Sequence, residues 1–328
     1  MTLPSTYQST APSVNKVGWI ASLRGLLVLF VFFSHLQELH LPWQLMFVVG
    51  RVGVVGFFLL AGYLAFASLQ KRTLAQFGLN RFLRIYPVFW LLLSIYFILD
   101  YQNTSWHDFL LNLTLFNELF GSECLITPSW MLPIMVVLYV VLMGSKKRGK
   151  KWVQIAYVSA GVVALLMGWL RMKSGQRFPT AFCLLVMVGL LGYIHKWGKV
   201  SRVRFVFLLI MFEVVLLTAS ITSYGREMLV YYLLGYNLGL ILFLLFAITR
   251  FQSPVLPQIG DWGFTLFLGA ELPVMALEKC MDVGNLPAGV YVSIKFVLAC
   301  ALAWLVTTFV ERPLLTKGKI WEHKIIKF

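Results

Sequence analysis

Charged residues are scarce in this sequence: only 12% of its 328 residues are Asp, Glu, Lys or Arg, whereas 59% are hydrophobic. Soluble domains carry about 25% charged residues. A water-soluble core cannot accommodate this much apolar surface, but a bilayer can, because a spanning helix needs roughly 20 apolar residues. The scarcity of charge excludes an ordinary soluble enzyme and predicts an integral membrane protein.

Cysteine pairs and metal-binding motifs are also missing. The four cysteines, Cys124, Cys183, Cys280 and Cys300, have no paired or metal-like spacing, so neither a disulfide framework nor a zinc site is expected. The sequence contains no P-loop, dinucleotide-binding glycine motif or HExxH pattern, and we therefore predict no metal site.

Apolar runs recur along the whole chain. They cover residues 17–36, 50–69, 85–99, 128–144, 152–170, 179–194, 205–221, 229–248, 262–278 and 289–309. The pattern predicts an all-α integral membrane protein, a polytopic bundle of about ten transmembrane helices. The two glycines of GVVGFF at 53–58 lie inside the second run and are interpreted as close-packing positions between helices.

Basic residues set the expected orientation. The net charge is +15, but the cationic side chains are confined to short connections, so a nucleic-acid partner is not expected. They concentrate in alternate connections, at 71–84, 146–151, 196–204 and 312–327. By the positive-inside rule these connections and both termini are cytoplasmic.

The ends of the chain and one long connection lie outside the predicted spans. Residues 1–16 are expected to form a disordered cytoplasmic tail and 314–328 a basic cytoplasmic tail, leaving 17–313 as one membrane domain. The segment 100–127 is too polar to span, and its FLLNLTLF stretch is predicted to lie along the membrane interface.

Five ionisable side chains lie inside apolar runs, where they are costly and mark candidate sites: Arg24, His35, Glu213, Glu271 and Lys295. Glu271 and Lys295 lie at matching depths in the ninth and tenth runs, which should be antiparallel neighbours. An ion pair that neutralises both charges is the simpler interpretation of these two.

Arg24 and His35 belong to the first run, eleven positions apart. That spacing places them within ~20° of one helix face and roughly 16 Å apart along the axis. An arginine can hold a phosphate, carboxylate or thioester oxygen, and a histidine can accept a proton near neutral pH. The structural alternative is that Arg24 pairs with Glu213 and that His35 only reaches interfacial water.

Arg81 and Arg84 lie in LNRFLRIYP, where a cytoplasmic connection enters the third run. Their spacing places them on one helix face. They are interpreted either as ordinary orientation anchors or as a site for a phosphorylated cytosolic ligand.

The sequence resembles the acyltransferase-3 family of bacterial membrane O-acyltransferases. The matching segments are SLRGLLVLFVFFSH with Arg24 and His35, GVVGFFLLAGY from Gly53 to Tyr63, RFLRIYP with Arg81 and Arg84, PSWMLP with Trp130, and VERPLL with Glu311 and Pro313. They occur in the family's order across nearly the whole chain. The chain departs from the family's pattern at Val55, Ala61, Met135 and Ala270, where the family has an acidic residue, a serine, a glutamate and a histidine.

The resemblance implies transfer of an acyl group, with acetyl as the favoured group, from cytosolic acyl-CoA. The implied acceptor is a hydroxyl of a cell-surface glycan, of an exopolysaccharide or of its lipid-linked precursor. It implies the bacterial inner membrane as the location and polysaccharide-biosynthesis proteins as candidate partners. Arg81 and Arg84 would meet the CoA phosphates, and Arg24 would hold the thioester or polarise its carbonyl.

For His35 the resemblance implies either a general base for the acceptor hydroxyl or a carrier of the acyl group. Trp130, Glu213 and Glu311 are candidate supporting residues. Two other classes stay open: a polytopic transporter or flippase, since buried Arg, His and Glu also suit a proton-coupled carrier, and a non-catalytic component of a polysaccharide-export complex.

Overall fold

The computed structural model describes residues 18–148, 202–280 and 286–325, and these contain helices and connections but no β-strand. The longer helices are α1 Gly18–Ser34, α2 Trp43–Lys71, α3 Leu74–Leu99, α5 Met131–Arg148, α6 Arg202–Thr249, α10 Ala288–Val306 and α11 Arg312–Ile325. The shorter ones are α4 Trp106–Leu113, α7 Leu256–Asp261, α8 Gly263–Gly269 and α9 Leu272–Cys280. The all-α prediction is confirmed for this part of the chain.

Five helical stretches are long and apolar enough to cross a membrane: Trp43–Lys71, Leu74–Leu99, Thr127–Gly144, Glu227–Thr249 and Ala288–Glu322. Helix α1 is apolar too, and its 17 residues extend about 26 Å at 1.5 Å per residue. The structure is therefore consistent with the predicted membrane bundle. The count of ten spans and the side on which the termini lie stay predictions, and the predicted spans 152–170 and 179–194 fall outside the described residues.

Helix α6 reverses direction along its length. The amide of Asn237 lies 3.5 Å from the carboxylate of Glu213, whereas 24 positions of straight helix would separate them by about 36 Å. The chain must therefore fold back between them, so that two arms run antiparallel. This is the arrangement that the predicted spans 205–221 and 229–248 require.

Helix α1 lies at the centre of the described bundle, against α2 and α7. Backbones approach closely where glycines replace side chains. A Cβ at Gly53 would lie 2.9 Å from the carbonyl oxygen of Leu27, and one at Gly56 would overlap the Leu27 side chain. The prediction that these two glycines are close-packing positions is confirmed. Gly25 and Gly260 bring α1 and α7 together in the same way.

The ninth predicted span, 262–278, is not one continuous helix. It is broken into α8 and α9, with α7 preceding it. Pro273 explains the break at residues 270–271, because it has no N–H to donate and its ring clashes with the carbonyl four residues earlier. Apolar content alone did not reveal this interruption.

The last predicted span continues beyond its expected end. After α10 comes a π turn, Thr307–Glu311, and then α11. Pro313 cannot donate to the carbonyl of residue 309, which accounts for the wider turn here. The predicted basic segment 314–328 is therefore helical as far as Ile325.

Helix α11 packs against the start of α3. Glu322 accepts hydrogen bonds from Arg72 Nε and Asn80 Nδ2, each at 3.0 Å, and its backbone oxygen accepts one from Gln76 Nε2 at 2.9 Å. Gly318 permits the approach, since a Cβ there would lie 2.5 Å from Leu83 Cδ1.

The polar connection after α3 contains the short amphipathic helix α4. Its eight residues extend about 12 Å, too little to cross a bilayer. Ser105 caps it by accepting a hydrogen bond from the Asp108 backbone N–H at 3.1 Å. Trp106 and Leu110 are exposed, as expected for a helix that lies along the membrane interface.

Candidate active site

Two cavities lie along α1, one near each of the side chains predicted to act. The first, here called the arginine cavity, encloses about 150 Å³ and contains Arg24, Arg81, Arg84, Asp261 and Glu311 among apolar residues. The second, the histidine cavity, encloses about 490 Å³ and contains His35, Glu38, Glu271 and Lys295. The structure thus brings the three predicted arginines together and places His35 apart from them.

Arg24 reaches the arginine cavity from α1. Its Nη1 donates to the carbonyl oxygen of Gly260 at 3.4 Å. Because a guanidinium has five N–H donors, this bond leaves most of them available to a ligand. Gly263 leaves space beside it, since a Cβ there would lie only 3.3 Å from the Arg24 side chain. The alternative pairing with Glu213 does not occur, as Glu213 lies beside Asn237.

Arg81 and Arg84 reach the same cavity from α3. The guanidinium carbon of Arg81 lies 5.0 Å from the ring centroids of both Phe77 and Tyr139, a cation–π arrangement that fixes its position. Its Nε is buried without a hydrogen-bond partner in the described part of the chain. Arg84 is exposed. This convergence favours a ligand site over plain orientation anchors.

The arginine cavity carries excess positive charge. Three guanidinium groups face two carboxylates, those of Asp261 and Glu311, and Asp261 is already 3.7 Å from Arg312. Glu311 interacts electrostatically with Arg24 and Arg84. A cavity of this sign attracts an anion. Sequence reasoning missed Asp261, which lies at the end of α7 with no pattern to mark it.

His35 lies directly after the last residue of α1, and its ring is held in one orientation. Nδ1 is 2.8 Å from the carbonyl oxygen of Val31 and 3.2 Å from Ser34 Oγ. A carbonyl can only accept, so Nδ1 carries the proton in the neutral ring and Nε2 keeps its lone pair. This is the state that a general base or a nucleophile needs.

The predicted ion pair between Glu271 and Lys295 is confirmed. Lys295 Nζ is 2.8 Å from Glu271 Oε2, and Lys295 is only 3% exposed whereas Glu271 is 49% exposed. A second carboxylate, Glu38, approaches the ammonium at 3.5 Å. Sequence reasoning missed Glu38 because it follows the apolar run. The chain turns back there, with His40 in the left-handed region at φ 49°.

Phe267 of α8 forms the wall between the two cavities. Among the described residues it is the one side chain that lines both. Its ring lies 5.7 Å from that of Phe57, tilted by 54°. The two sites are therefore neighbours separated by aromatic side chains. No sequence motif marked Phe267, since one aromatic residue in an apolar run carries no signal.

The predicted supporting residues differ in their positions. Glu311 lines the arginine cavity. Trp130 is half-buried and packs against the core at the start of α5; Thr127 before it lines the histidine cavity and Met131 after it lines the arginine cavity. Glu213 lines neither cavity.

Three of the four positions that depart from the resembled pattern line the cavities. Ala61 and Met135 line the arginine cavity, and Ala270 lines the histidine cavity. Val55 is instead buried in the core, where it packs against Gly239. The departures at Ala61, Met135 and Ala270 therefore make both cavities less polar at those positions.

Comparison with known protein families gives a match over most of the chain. A family model described as an acyltransferase domain, that of the acyltransferase-3 proteins, matches residues 17–309. No curated protein and no solved structure matches the chain. The matched range includes Arg24, His35 and all of α2, α3 and α8.

Proposed function

Because the chain belongs to the acyltransferase-3 family, we propose that it is a membrane O-acyltransferase. It transfers an acyl group, with acetyl as the favoured group, from cytosolic acyl-CoA. The acceptor is a hydroxyl of a surface glycan or of its lipid-linked precursor. The observation that carries this proposal is the pairing of a cationic cavity with a histidine cavity across one aromatic wall. A polyanionic donor and a neutral hydroxyl acceptor need two such different environments.

The arginine cavity suits the donor. At about 150 Å³ it is smaller than the 300–1,000 Å³ typical of sites for drug-sized ligands, so it would admit the acyl end of the thioester and leave the nucleotide outside. Arg81 and Arg84 would meet the phosphates as charge-assisted donors. Arg24 would hold the thioester or polarise its carbonyl.

The histidine cavity suits the acceptor. Nε2 of His35 would take the proton of the acceptor hydroxyl as its oxygen attacks the thioester carbonyl carbon. This attack forms the ester C–O bond and gives a tetrahedral intermediate, whose collapse re-forms the carbonyl and breaks the C–S bond. The CoA thiolate leaves and recovers the proton from His35. In the alternative relay, Nε2 attacks the thioester carbonyl and the CoA thiolate leaves. The acceptor hydroxyl then attacks the acyl carbon, the Nε2–C bond breaks, and Nε2 takes up the hydroxyl proton and passes it to the thiolate.

The test uses the purified protein in liposomes, with acetyl-CoA and polysaccharide from cells that lack the gene. We expect the polysaccharide to gain one acetyl unit per modified repeat by mass spectrometry. His35→Ala should abolish the gain, and His107→Ala, which removes an exposed histidine on α4, should not. No mass change with the wild-type protein would contradict the proposal.

A carrier remains the second candidate, on one specific observation. The broken helix α7–α8–α9 contributes residues to both cavities, and discontinuous helices are typical of transporters. A matching broken helix, which inverted repeats would supply, is not found among the described residues. Uptake of lipid-linked sugar without acyl-CoA, with no mass change, would favour the carrier.

A further inference from the structure

The side chains of α8 are divided between the two cavities. Phe264 lines only the arginine cavity, Leu266 and Leu268 line only the histidine cavity, and Phe267 lines both. Phe267 is therefore the side chain that the arginine cavity and the histidine cavity have in common among the described residues. Phe57 on α2 supports it from the side of the arginine cavity.

The space on the donor side of the ring is small and apolar. Besides its charged groups, the arginine cavity is lined by side chains such as Leu60, Leu64 and Ile85. Phe267 is part of this lining, and the histidine cavity, which shares Phe267, is larger, at about 490 Å³. The arginine cavity is thus the smaller of the two spaces that the Phe267 ring separates.

We propose that Phe267 is a specificity-determining residue, whose ring sets the length of the acyl chain that can pass from the arginine cavity to His35. The proposal rests on the proposed function. With the ring present, a two-carbon acyl group fits beside it and a four-carbon group meets it. Without the ring, the two cavities join into one passage.

The first test does not depend on any reaction. In a variant whose native cysteines are serine, Ala270→Cys puts a thiol in the histidine cavity alone. A small, membrane-impermeant methanethiosulfonate reagent is added to one side of proteoliposomes and then to the other. We expect labelling from a single side when Phe267 is present, and from both sides with Phe267→Ala. The matched control Phe264→Ala should keep labelling single-sided.

The second test measures the ratio of butyryl to acetyl transfer from the two CoA thioesters to unacylated polysaccharide. We expect Phe267→Ala to raise this ratio about 10-fold or more, since each methylene rejected by an apolar site changes selectivity by about 10–200-fold. The control Phe251→Ala, at an exposed ring that lines neither cavity, should leave this ratio unchanged. Phe267→Trp should lower acetyl transfer while acetyl-CoA still binds.

The outcomes separate the two proposals. If the wild-type protein transfers neither group, the proposed function fails, and the labelling test still decides whether Phe267 divides the cavities. If acetyl transfer occurs but Phe267→Ala leaves the ratio and the labelling unchanged, the role of Phe267 is overturned alone. If Phe267→Ala does not fold, Phe267→Leu replaces it, and we expect smaller changes in the same direction. An unchanged transfer ratio and unchanged labelling in Phe267→Leu would overturn the proposal.

Discussion

The arginine cavity and the histidine cavity are built in opposite ways. The first has three cations supplied by two helices, and Arg84 and the Nε of Arg81 make no fixed hydrogen bond within the described residues. The second has charges that are already paired, as in Lys295 with Glu271, and a histidine whose tautomer is fixed by Val31. A site for a polyanion needs excess charge and adaptable donors, whereas proton transfer needs one ring held in place.

Substitution of His35 should have the largest effect on activity. We expect His35→Ala to lower the rate of acyl transfer by about 10²–10⁴-fold, the usual contribution of a general base, and by more if the ring carries the acyl group. Acetyl-CoA binding, measured by calorimetry, should not change, because the proposed donor site is the arginine cavity.

An acyl transfer rate for His35→Ala equal to that of the wild type would contradict this assignment of roles. Trapping of an acylated protein by rapid acid quench with radiolabelled acetyl-CoA would identify the covalent relay. Absence of label on His35 throughout the first turnover would favour the base.

The paired charges of the histidine cavity give the next largest effect. Removing one partner of a buried pair costs about 3–5 kcal/mol, but Glu38 also contacts Lys295, so we expect Glu271→Gln to cost about 3 kcal/mol or less. Lys295→Met should cost less than Glu271→Gln, because Glu271 is half-exposed and can be solvated. The measurement is the free energy of unfolding in detergent.

The double variant Glu271→Gln, Lys295→Met should be more stable than the sum of the two single effects implies. If the double variant loses as much free energy of unfolding as the two single variants together, Glu271 and Lys295 are not coupled. Glu278→Gln, which leaves the cluster around Lys295 intact, provides the control.

Acetyl-CoA binding in the arginine cavity should depend on salt concentration, whereas the paired charges of the histidine cavity should not give such a dependence. We expect Arg84→Ala to weaken acetyl-CoA binding by about 10–100-fold, from the loss of charge-assisted hydrogen bonds worth about 1.5–3 kcal/mol. The loss should be larger at low ionic strength, because added salt screens exposed charges. Arg84→Lys should recover only part of it, since an ammonium lacks the planar fork.

Lys71→Ala is the control for Arg84→Ala, because Lys71 is an exposed cation that lines neither cavity. If both variants bind acetyl-CoA as the wild type does, Arg84 is an orientation anchor only. If both variants weaken acetyl-CoA binding equally, the protein's overall positive charge attracts the ligand and the arginine cavity does not bind it specifically.

The smallest effect lies outside both cavities, on the polar connection that contains α4. Hydrogen bonds from Ser105 and Ser122 hold the pKa of Asp108 below its usual range. A lowered pKa in the folded state contributes stability above the unfolded pKa, and this contribution is lost as pH falls through the folded value. The protection of residues 106–125 against hydrogen exchange, taken relative to the intrinsic rate at each pH, should therefore fall below about pH 4, and Ser122→Ala should shift that fall to higher pH.

The sequence predicted the individual residues of the site better than their grouping. Arg24 and His35 could be identified because an ionisable group inside an apolar run is costly and marks a candidate site. Arg84 was identified with Arg81 because their spacing places them on one helix face, and the Glu271–Lys295 pair followed from matching depths. The sequence could not predict that Arg24 and Arg84 share a cavity, because their helices meet only through tertiary packing. Phe267 and Glu38 were missed because neither breaks a local pattern.

The break at Ala270 could not be predicted from the sequence, whereas the reversal within α6 follows from the two predicted spans 205–221 and 229–248. Hydropathy measures how apolar a segment is and does not distinguish one helix from several short ones in line. The close-packing glycines were easier to predict, because a glycine among the large apolar residues of a membrane helix commonly marks the point where a second helix approaches.

The docking of α11 has a mechanical consequence for the arginine cavity. Glu311 ends the π turn that leads directly into α11, and the contacts of Glu322 tie that helix to the start of α3, which carries Arg81 and Arg84. Helix α11 thus acts as a brace between Glu311 and the two arginines of α3 in the arginine cavity. A chain cut after residue 311 would lose this brace, so its arginine cavity would become wider and bind less selectively, while the histidine cavity at the other end of α1 kept its dimensions.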